Sequence, residues 1–187
     1  MWKGASVLAV MVAALLPASA FGQAQARRTV AVPRQIIQQL QQDSTEENEL
    51  DDLYRDSLAA YLVAEPLDLN HDGIPELAIR GRGRICAANN CVSWIYRRTA
   101  TGYERLLSTG AIQRIEPQAT MTHGYRDVMT STHGSAWDGD MTLYKFDGQR
   151  FRRVRCFTYT FRYFDAQGEM YELDRQRTAP AVCPPEN

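Results

Sequence analysis

The sequence predicts a mainly β (α+β) fold, with antiparallel, blade-like sheets built from two degenerate repeats and capped by N-terminal helices. The chain contains nine Tyr, six Phe and three Trp, residue types that favour strands. Apolar residues at helical spacing occur mainly in residues 27–60. Farther on, Trp94–Arg97 aligns with Thr142–Lys145, and Tyr103–Leu106 with Phe151–Val154, both at a spacing of 48. Repeats near that length occur in propeller blades, but two units cannot close a propeller, so we expect an open sheet or a sandwich.

Residues 1–20 have the features of a signal peptide, with cleavage as late as residue 26 as an alternative. Lys3 provides a positive start, Ala5–Leu16 is an apolar run too short to span a bilayer, and Pro17–Ala20 offers small residues to a signal peptidase. The mature chain is therefore expected to be periplasmic or secreted, without a membrane span.

Charge is nearly balanced, with 21 basic and 22 acidic residues among 187, so nothing indicates a nucleic-acid partner. The length allows one domain, or two at most. The four cysteines form an even set in an exported chain, which favours disulfides. Of the three connectivities we favour Cys86–Cys91 with Cys156–Cys183, since the first would clip a small loop and the second would tie down the C-terminus. Zinc is the alternative, but the chain has no Cys-x-x-Cys pair.

The N-terminal cap, residues 27–60, is predicted to be helical. Pro33 can open a short helix carrying Ile36, Ile37 and Leu40, and Ser44–Glu47 has capping-box spacing. Further apolar residues then recur at helical spacing: Leu50, Leu53, Tyr54, Leu58, Tyr61 and Leu62. Since Pro66 cannot lie in a helix interior, we expect a strand to begin within residues 61–67.

Residues 61–175 are predicted to form the β-domain and residues 176–187 a proline-containing tail. Val92–Arg98 alternates as a strand, and Tyr125–Met129 would take the place of the Glu76 strand in the second repeat. A last hairpin is expected to turn at Asp165–Gly168.

The most informative stretch is the loop from Asp68 to Glu76. Oxygen-bearing side chains stand at its first, third, fifth and ninth positions: Asp68, Asn70, Asp72 and Glu76. Gly73, at the sixth position, permits a sharp turn, and Ile74 can offer its backbone carbonyl. Calcium takes six to eight oxygen ligands, so this spacing predicts a Ca²⁺ site. The alternative is a solvated turn built from Asp, Asn and Gly.

The loop is not a complete EF-hand, because the twelfth position is Ile79 instead of a bidentate Glu, and Glu76–Ile79 reads as a strand. Asp68, Asn70, Asp72, Gly73, Glu76 and Leu77 instead match, in place, the calcium loop of FG-GAP/VCBS repeats. The chain resembles this family loosely over residues 62–155 and specifically only over Asp68–Leu77. The resemblance implies calcium bound at a strand-loop-strand corner.

Each of the remaining candidate sites has both a functional and a purely structural interpretation. His123 and His133 both occur as Thr-His-Gly, which suggests either metal or acid-base chemistry or two turns on the same rim. Asp138–Asp140 reads as a turn or as ligands of a second ion. The arginines near the first cystine, Arg80, Arg82 and Arg84, read as a solvated loop or as a site for an acidic partner.

The function expected from the sequence is that of an exported, non-catalytic, calcium-binding β-domain that binds a protein or an envelope polymer. Two alternatives stay open: an inhibitor or immunity protein of a cell-wall-degrading enzyme, and a hydrolase that uses His123 or His133.

Overall fold

The computed structural model describes residues 28–43 and 58–184. Within them lie one α-helix, α1 (Arg34–Gln42), and two short 3-10 helices, Leu58–Tyr61 and Gly83–Ile85. The described residues also form the following ten strands: β1 (Leu62–Leu67), β2 (Glu76–Gly81), β3 (Cys86–Ala87), β4 (Asn90–Thr99), β5 (Gly102–Ile112), β6 (Arg114–Thr122), β7 (Tyr125–His133), β8 (Asp138–Phe146), β9 (Phe151–Phe164) and β10 (Met170–Ala181).

The strands form two antiparallel sheets, as the sequence predicted. In the first sheet β1 pairs with β2, β2 with β4 and β4 with β5, and the two-residue β3 pairs with the start of β4. In the second sheet β6 to β10 pair in sequence order. Both sheets are therefore meanders of neighbouring strands, which short turns can connect.

The first sheet is covered on both faces. On one face Ile36 and Leu40 of α1 pack in a cluster with Trp94, which is fully buried. On the other face Ile95 packs in a second cluster with Val128 and other residues of the second sheet. This double coverage explains why β4 has a nearly continuous run of buried residues instead of clean alternation. The helix, the first sheet and the second sheet form three layers, with a separate apolar core at each interface.

The helical cap is confirmed only in part. Pro33 stands at the N-cap of α1, as expected, but residues 28–33 contain no helix, and Val30 forms a β-bridge with Ala64. The signal peptide, the capping box and most of the second helical stripe lie outside the described residues. The chain enters β1 at Leu62, inside the interval predicted from Pro66.

The predicted C-terminal tail is wrong as far as Ala181, because β10 continues to that residue. Pro180 pairs with Phe157 of β9 at the outer edge of the second sheet. A proline is tolerated on an edge strand because its missing N–H costs no ladder bond there. Both favoured disulfides are confirmed, Cys86–Cys91 within the β3–β4 pair and Cys156–Cys183 from β9 to the end of the chain beyond β10.

Parts of the strand register correspond between the two sheets. Tyr96 pairs with Arg105 after a bulge in β4–β5, and Tyr144 pairs with Arg153 after a bulge in β8–β9, an offset of 48 residues from Tyr96 to Tyr144. The preceding hairpins also correspond: Pro66 pairs with Leu77 in β1–β2, and Pro117 with Val128 in β6–β7, an offset of 51 residues from Pro66 to Pro117. At this second offset, Glu76 in the first sheet corresponds to Asp127 in the second.

Candidate metal centre

The candidate loop connects β1 to β2, and its first and last parts are fixed to the fold. Leu69 is fully buried in the core between the sheets, and its backbone N–H donates to Oε2 of Glu76 at 2.9 Å. His71 and Gly73 both have positive φ, 61° and 81°, which gives the tight turns that the spacing predicted. Between these anchors Asp68 and Asp72 are exposed, so their carboxylates lie at the surface.

The side chains of the loop fold back onto its own backbone. Oδ1 of Asp68 accepts from the N–H of His71 at 2.8 Å, Oδ1 of Asn70 from Asp72 at 3.1 Å, and Oδ1 of Asp72 from Ile74 at 2.7 Å. The Asn70 amide also donates to Oδ2 of Asp72 at 2.8 Å. This chain of Asx-type turns holds the loop in shape and accounts for Asp and Asn at alternate positions.

Glu76 has the most unusual environment in the loop, because its carboxylate is buried, with the residue 2% exposed. Burial raises the pKa of Glu76, and the nearby carboxylates of Asp72 and Asp68 raise it further, against hydrogen bonds from the backbone N–H groups of Leu69 and of Glu76 itself. In the described part of the chain no cationic side chain contacts this carboxylate. Asp72 and Asp68 thus add negative charge near the buried Glu76, and no side chain of the described residues balances it, a setting in which a bound cation would be favourable.

The corresponding acid of the second sheet does have a cation. Asp127 is 1% exposed, and its Oδ2 lies 3.0 Å from Nζ of Lys145. The hydroxyls of Thr120 and Thr122 donate to the same carboxylate at 2.6 and 2.7 Å. Burial alone would raise the pKa of Asp127, but these hydrogen bonds and the Lys145 ammonium outweigh it and lower the pKa.

The residue that corresponds to Lys145 in the first sheet does not do the same for Glu76. At the offset of 48 that residue is Arg97, whose guanidinium pairs with Glu104 at 2.8 Å. The buried carboxylate of the first sheet is thus left without the partner that its counterpart has.

The loop also joins the two sheets. The N–H of Arg126 in β7 donates to the backbone oxygen of Leu69 at 2.7 Å, and the Asn70 amide lies 3.4 Å from the hydroxyl of Tyr125. A cation bound in this loop would therefore stiffen the junction between the layers.

The predicted ligands are only partly assembled. Asp68, Asp72 and Glu76 are close enough for the two aspartates to act on the pKa of Glu76, and Asn70 bridges to Asp72. The Ile74 side chain is exposed and has no oxygen, so this residue could offer an ion only its backbone carbonyl. Over residues 28–43 and 58–184, no group of three or more His, Cys, Asp and Glu side chains is arranged to hold a metal ion. The negative charges of the loop are suited to a cation. To coordinate one, its Asp and Asn side chains would have to break some of their hydrogen bonds to the loop backbone.

The histidines do not converge. His123 and Gly124 form the two-residue turn between β6 and β7, both with positive φ, and His133 ends β7. At about 3.3 Å per residue, a nine-residue strand places them roughly 30 Å apart, so the expectation of a common rim is wrong. Nδ1 of His123 contacts the oxygen of Phe146 at 2.8 Å, and Nδ1 of His133 the hydroxyl of Tyr159 at 3.3 Å. Neither contacts a Ser, Thr or Cys side chain within the described chain.

Asp138–Asp140 begins strand β8 instead of forming a turn, and Oδ2 of Asp138 pairs with Arg162 at 3.0 Å. The reading of this triplet as a turn is therefore wrong. The sequence analysis missed the Asp127–Lys145 pair. The signal that could have found it is a carboxylate 51 residues after Glu76, which is recognisable only once the β1–β2 and β6–β7 hairpins are aligned.

Comparison of the chain with models of protein families, with curated proteins and with solved structures finds no match in any of the three. Among the described residues, no helix combines the length and the apolar character needed to cross a membrane.

Proposed function

We propose that the protein is an exported, non-catalytic β-domain in which Ca²⁺ at the Asp68–Glu76 loop stabilises the junction of two sheets. The observation that carries this proposal is the pair of corresponding buried acids. Asp127 has the Lys145 ammonium at 3.0 Å, whereas no cationic side chain in the described chain contacts Glu76. Asp68, Asn70, Asp72 and Glu76 would hold the ion, together with the carbonyl of Ile74. The ion would supply positive charge and cross-linking, with no role in chemistry.

The shared register supports a second part of the proposal, that the sheets descend from one degenerate unit of the FG-GAP/VCBS type. In this interpretation the first unit keeps the metal loop, and the second replaces the metal with Lys145. The two-residue turn at His123–Gly124 then stands where the calcium loop stands in the first unit.

The two disulfides support the proposal of export, because such bonds persist in oxidising compartments. We infer that the folded domain binds a protein or an envelope polymer. The hydrolase alternative is less well supported, because His123 and His133 lie at opposite ends of β7 and, among the described residues, neither hydrogen-bonds a Ser, Thr or Cys side chain.

Calcium titration of the mature protein tests the metal proposal. A dissociation constant of order 10⁻⁴ M is typical of weak extracellular sites. At roughly millimolar Ca²⁺ such binding adds about 1.4 kcal/mol to the free energy of unfolding. Calorimetry should detect one site, and the melting temperature should rise with Ca²⁺.

Asp72→Ala should abolish the calcium-dependent rise in melting temperature, since it removes one of the three anionic ligands. Asp165→Ala is the matched control: Asp165 also accepts backbone N–H bonds in a turn, from Gln167 and Glu169, but in the β9–β10 hairpin. The control should keep the full rise. The proposal fails if Asp72→Ala responds to Ca²⁺ as the wild type does.

A further inference from the structure

We propose that a cleft between the two sheets, beside the Cys86–Cys91 disulfide, binds a ligand carboxylate through the Arg80 guanidinium. The cleft has a volume of about 450 Å³. Its polar lining consists of Arg80, Arg114, Glu65, Asn89, Ser93 and Gln113. The inference rests on the proposed function only in taking this protein as a binding domain, and it gives that domain a ligand class. It requires no metal in the Asp68–Glu76 loop.

Arg80 is placed in the cleft by the alternation of β2. Ala78, two residues earlier, lies in the core between the sheets, so Arg80 projects from the same face, just beyond that core. Nε of Arg80 is buried and has no hydrogen-bond partner among the described residues. Within the same residues Nη2 makes two long contacts, 3.3 Å to the oxygen of Asn89 and 3.9 Å to Sγ of Cys91. No carboxylate of the described chain pairs with this half-buried guanidinium.

An unpaired, partly buried charge is costly, and buried polar atoms nearly always have partners. Arg97, Arg152 and Arg162 each have a carboxylate within 3.0 Å. Arg80 lacks one among the described residues, although its Nε is buried. A ligand oxyanion in the cleft would provide an acceptor for the part of the guanidinium that lines the cleft.

The cleft has room for a ligand and a rigid rim. Its lining includes two small side chains, Ala78 and Ser93, and the apolar Ile115. Next to the lining residue Asn89, the Asn90 side chain joins the second sheet: it donates to the oxygen of His133 and accepts from the His133 N–H, both at 2.9 Å. Such a rim needs little ordering on binding, which favours affinity.

The charges of the lining favour a carboxylate over a multiply charged anion. Arg114 adds a second guanidinium, which among the described residues has one ion-pair contact, at 3.6 Å with the exposed Glu116. Glu65 contributes one negative charge, so the two arginines leave a single positive charge in excess. The planar guanidinium matches a planar carboxylate. The volume lies in the range of small-molecule sites, roughly 300–1,000 Å³, so a sugar acid would fit.

The Nε–Hε resonance of Arg80 reports directly on this site. The mature protein is titrated with sodium glucuronate at constant ionic strength, with glucose and inorganic phosphate as parallel probes. We expect a saturable shift of this resonance with glucuronate, a weaker response to phosphate and none to glucose. Arg80→Lys, which keeps the charge but loses Nε, should weaken glucuronate binding at least tenfold. Arg84→Lys, in the exposed 3-10 turn nearby, should leave it unchanged.

Three results would overturn the inference: no saturable shift with glucuronate, unchanged affinity in Arg80→Lys, or an equal response to glucose. Tighter binding of phosphate than of glucuronate would refute the carboxylate assignment. Glu65→Gln should strengthen phosphate binding if Glu65 sets the charge preference. The titration is repeated in EDTA and with Asp72→Ala. Carboxylate binding should persist in both, so failure of the calcium site and failure of the cleft are distinguished.

Discussion

At the scale of single residues, the two buried acids Glu76 and Asp127 occupy corresponding positions but have opposite electrostatic surroundings. The pKa of Glu76 is raised by burial and by two neighbouring carboxylates, whereas hydrogen bonds and an ammonium lower that of Asp127. Each acid therefore predicts a different dependence of stability on pH.

For Glu76, the folded state favours the protonated acid. Its contribution to the free energy of unfolding is fully present below the unfolded pKa, about 4.5, and is lost as pH rises through the raised folded pKa. Glu76→Gln should therefore raise the melting temperature at pH 7.5 without calcium, and abolish the calcium-dependent rise. In the wild type that rise should be larger at pH 7.5 than at pH 4.5, because protons compete with calcium for Glu76.

Thermal unfolding at the two pH values, with calcium and with EDTA, measures this effect. Asp147→Asn is the control, since hydrogen bonds from the N–H of Arg150, from Arg152 and from the N–H of Gln149 lower the pKa of that exposed acid. It should leave the calcium response unchanged. A calcium response independent of pH would count against Glu76 as a ligand.

For Asp127, the lowered pKa gives stability that is present above the unfolded value, about 3.8, and is lost as pH falls through the folded pKa. Lys145→Met should leave the carboxylate buried without its cation. Breaking a fully buried pair costs roughly 3–5 kcal/mol, and we expect about 1–3 here because the Lys145 side chain is 41% exposed. Urea unfolding of the variant and of the wild type at pH 7 measures this loss in the free energy of unfolding. The double variant Lys145→Met/Asp127→Asn should recover part of the lost stability. If Lys145→Met alone is as stable as the wild type, the pair does not have the proposed role.

At the scale of elements, the sequence determined most of what local pattern controls. Pro33 marks the start of α1, the aromatic alternation marks β9, and Asp165–Gly168 marks its turn. The prediction from sequence was wrong at β10, because the prolines indicated a tail, whereas an edge strand tolerates proline.

The end of β10 is tied to β9 by Cys156–Cys183, across a separation of 27 residues. Replacing both cysteines by Ser should lower the free energy of unfolding by about 3.5 kcal/mol, against about 2 kcal/mol for the pair Cys86 and Cys91, because the longer loop restricts the unfolded chain more. Denaturant unfolding measures both losses. Hydrogen exchange should show β10 losing protection first in the Cys156/Cys183 variant. Equal losses in the two variants would contradict this account.

At the scale of the whole molecule, the two sheets are held together by one apolar core and by a few directed bonds across it. The Asn90 side chain of β4 makes two such bonds, to the backbone N–H and oxygen of His133 in β7. The N–H of Arg126 and the oxygen of Leu69 make another.

Asn90→Ala should destabilise the protein by about 2 kcal/mol, since it leaves two partly buried backbone groups without partners. Asn90→Asp keeps the acceptor but loses the donor, so its stability should lie between those of the wild type and Asn90→Ala. Chemical denaturation ranks the three proteins. The same stability in Asn90→Ala and the wild type would show that the clamp contributes nothing.

The sequence by itself determined the β class, the first helix and the loop that carries the candidate metal ligands, because each depends on short-range spacing and residue type. It favoured the observed disulfide pairing among three possible connectivities. The tertiary structure alone decided which charged groups have partners. Glu76 and Asp127 lie far apart in the chain, and only the pairing of strands shows that Lys145 balances one while no side chain of the described residues balances the other. Likewise, Arg80 is recognisable as an unpaired guanidinium only after the sheets have packed, since burial and the lack of an acceptor are properties of the packed chain.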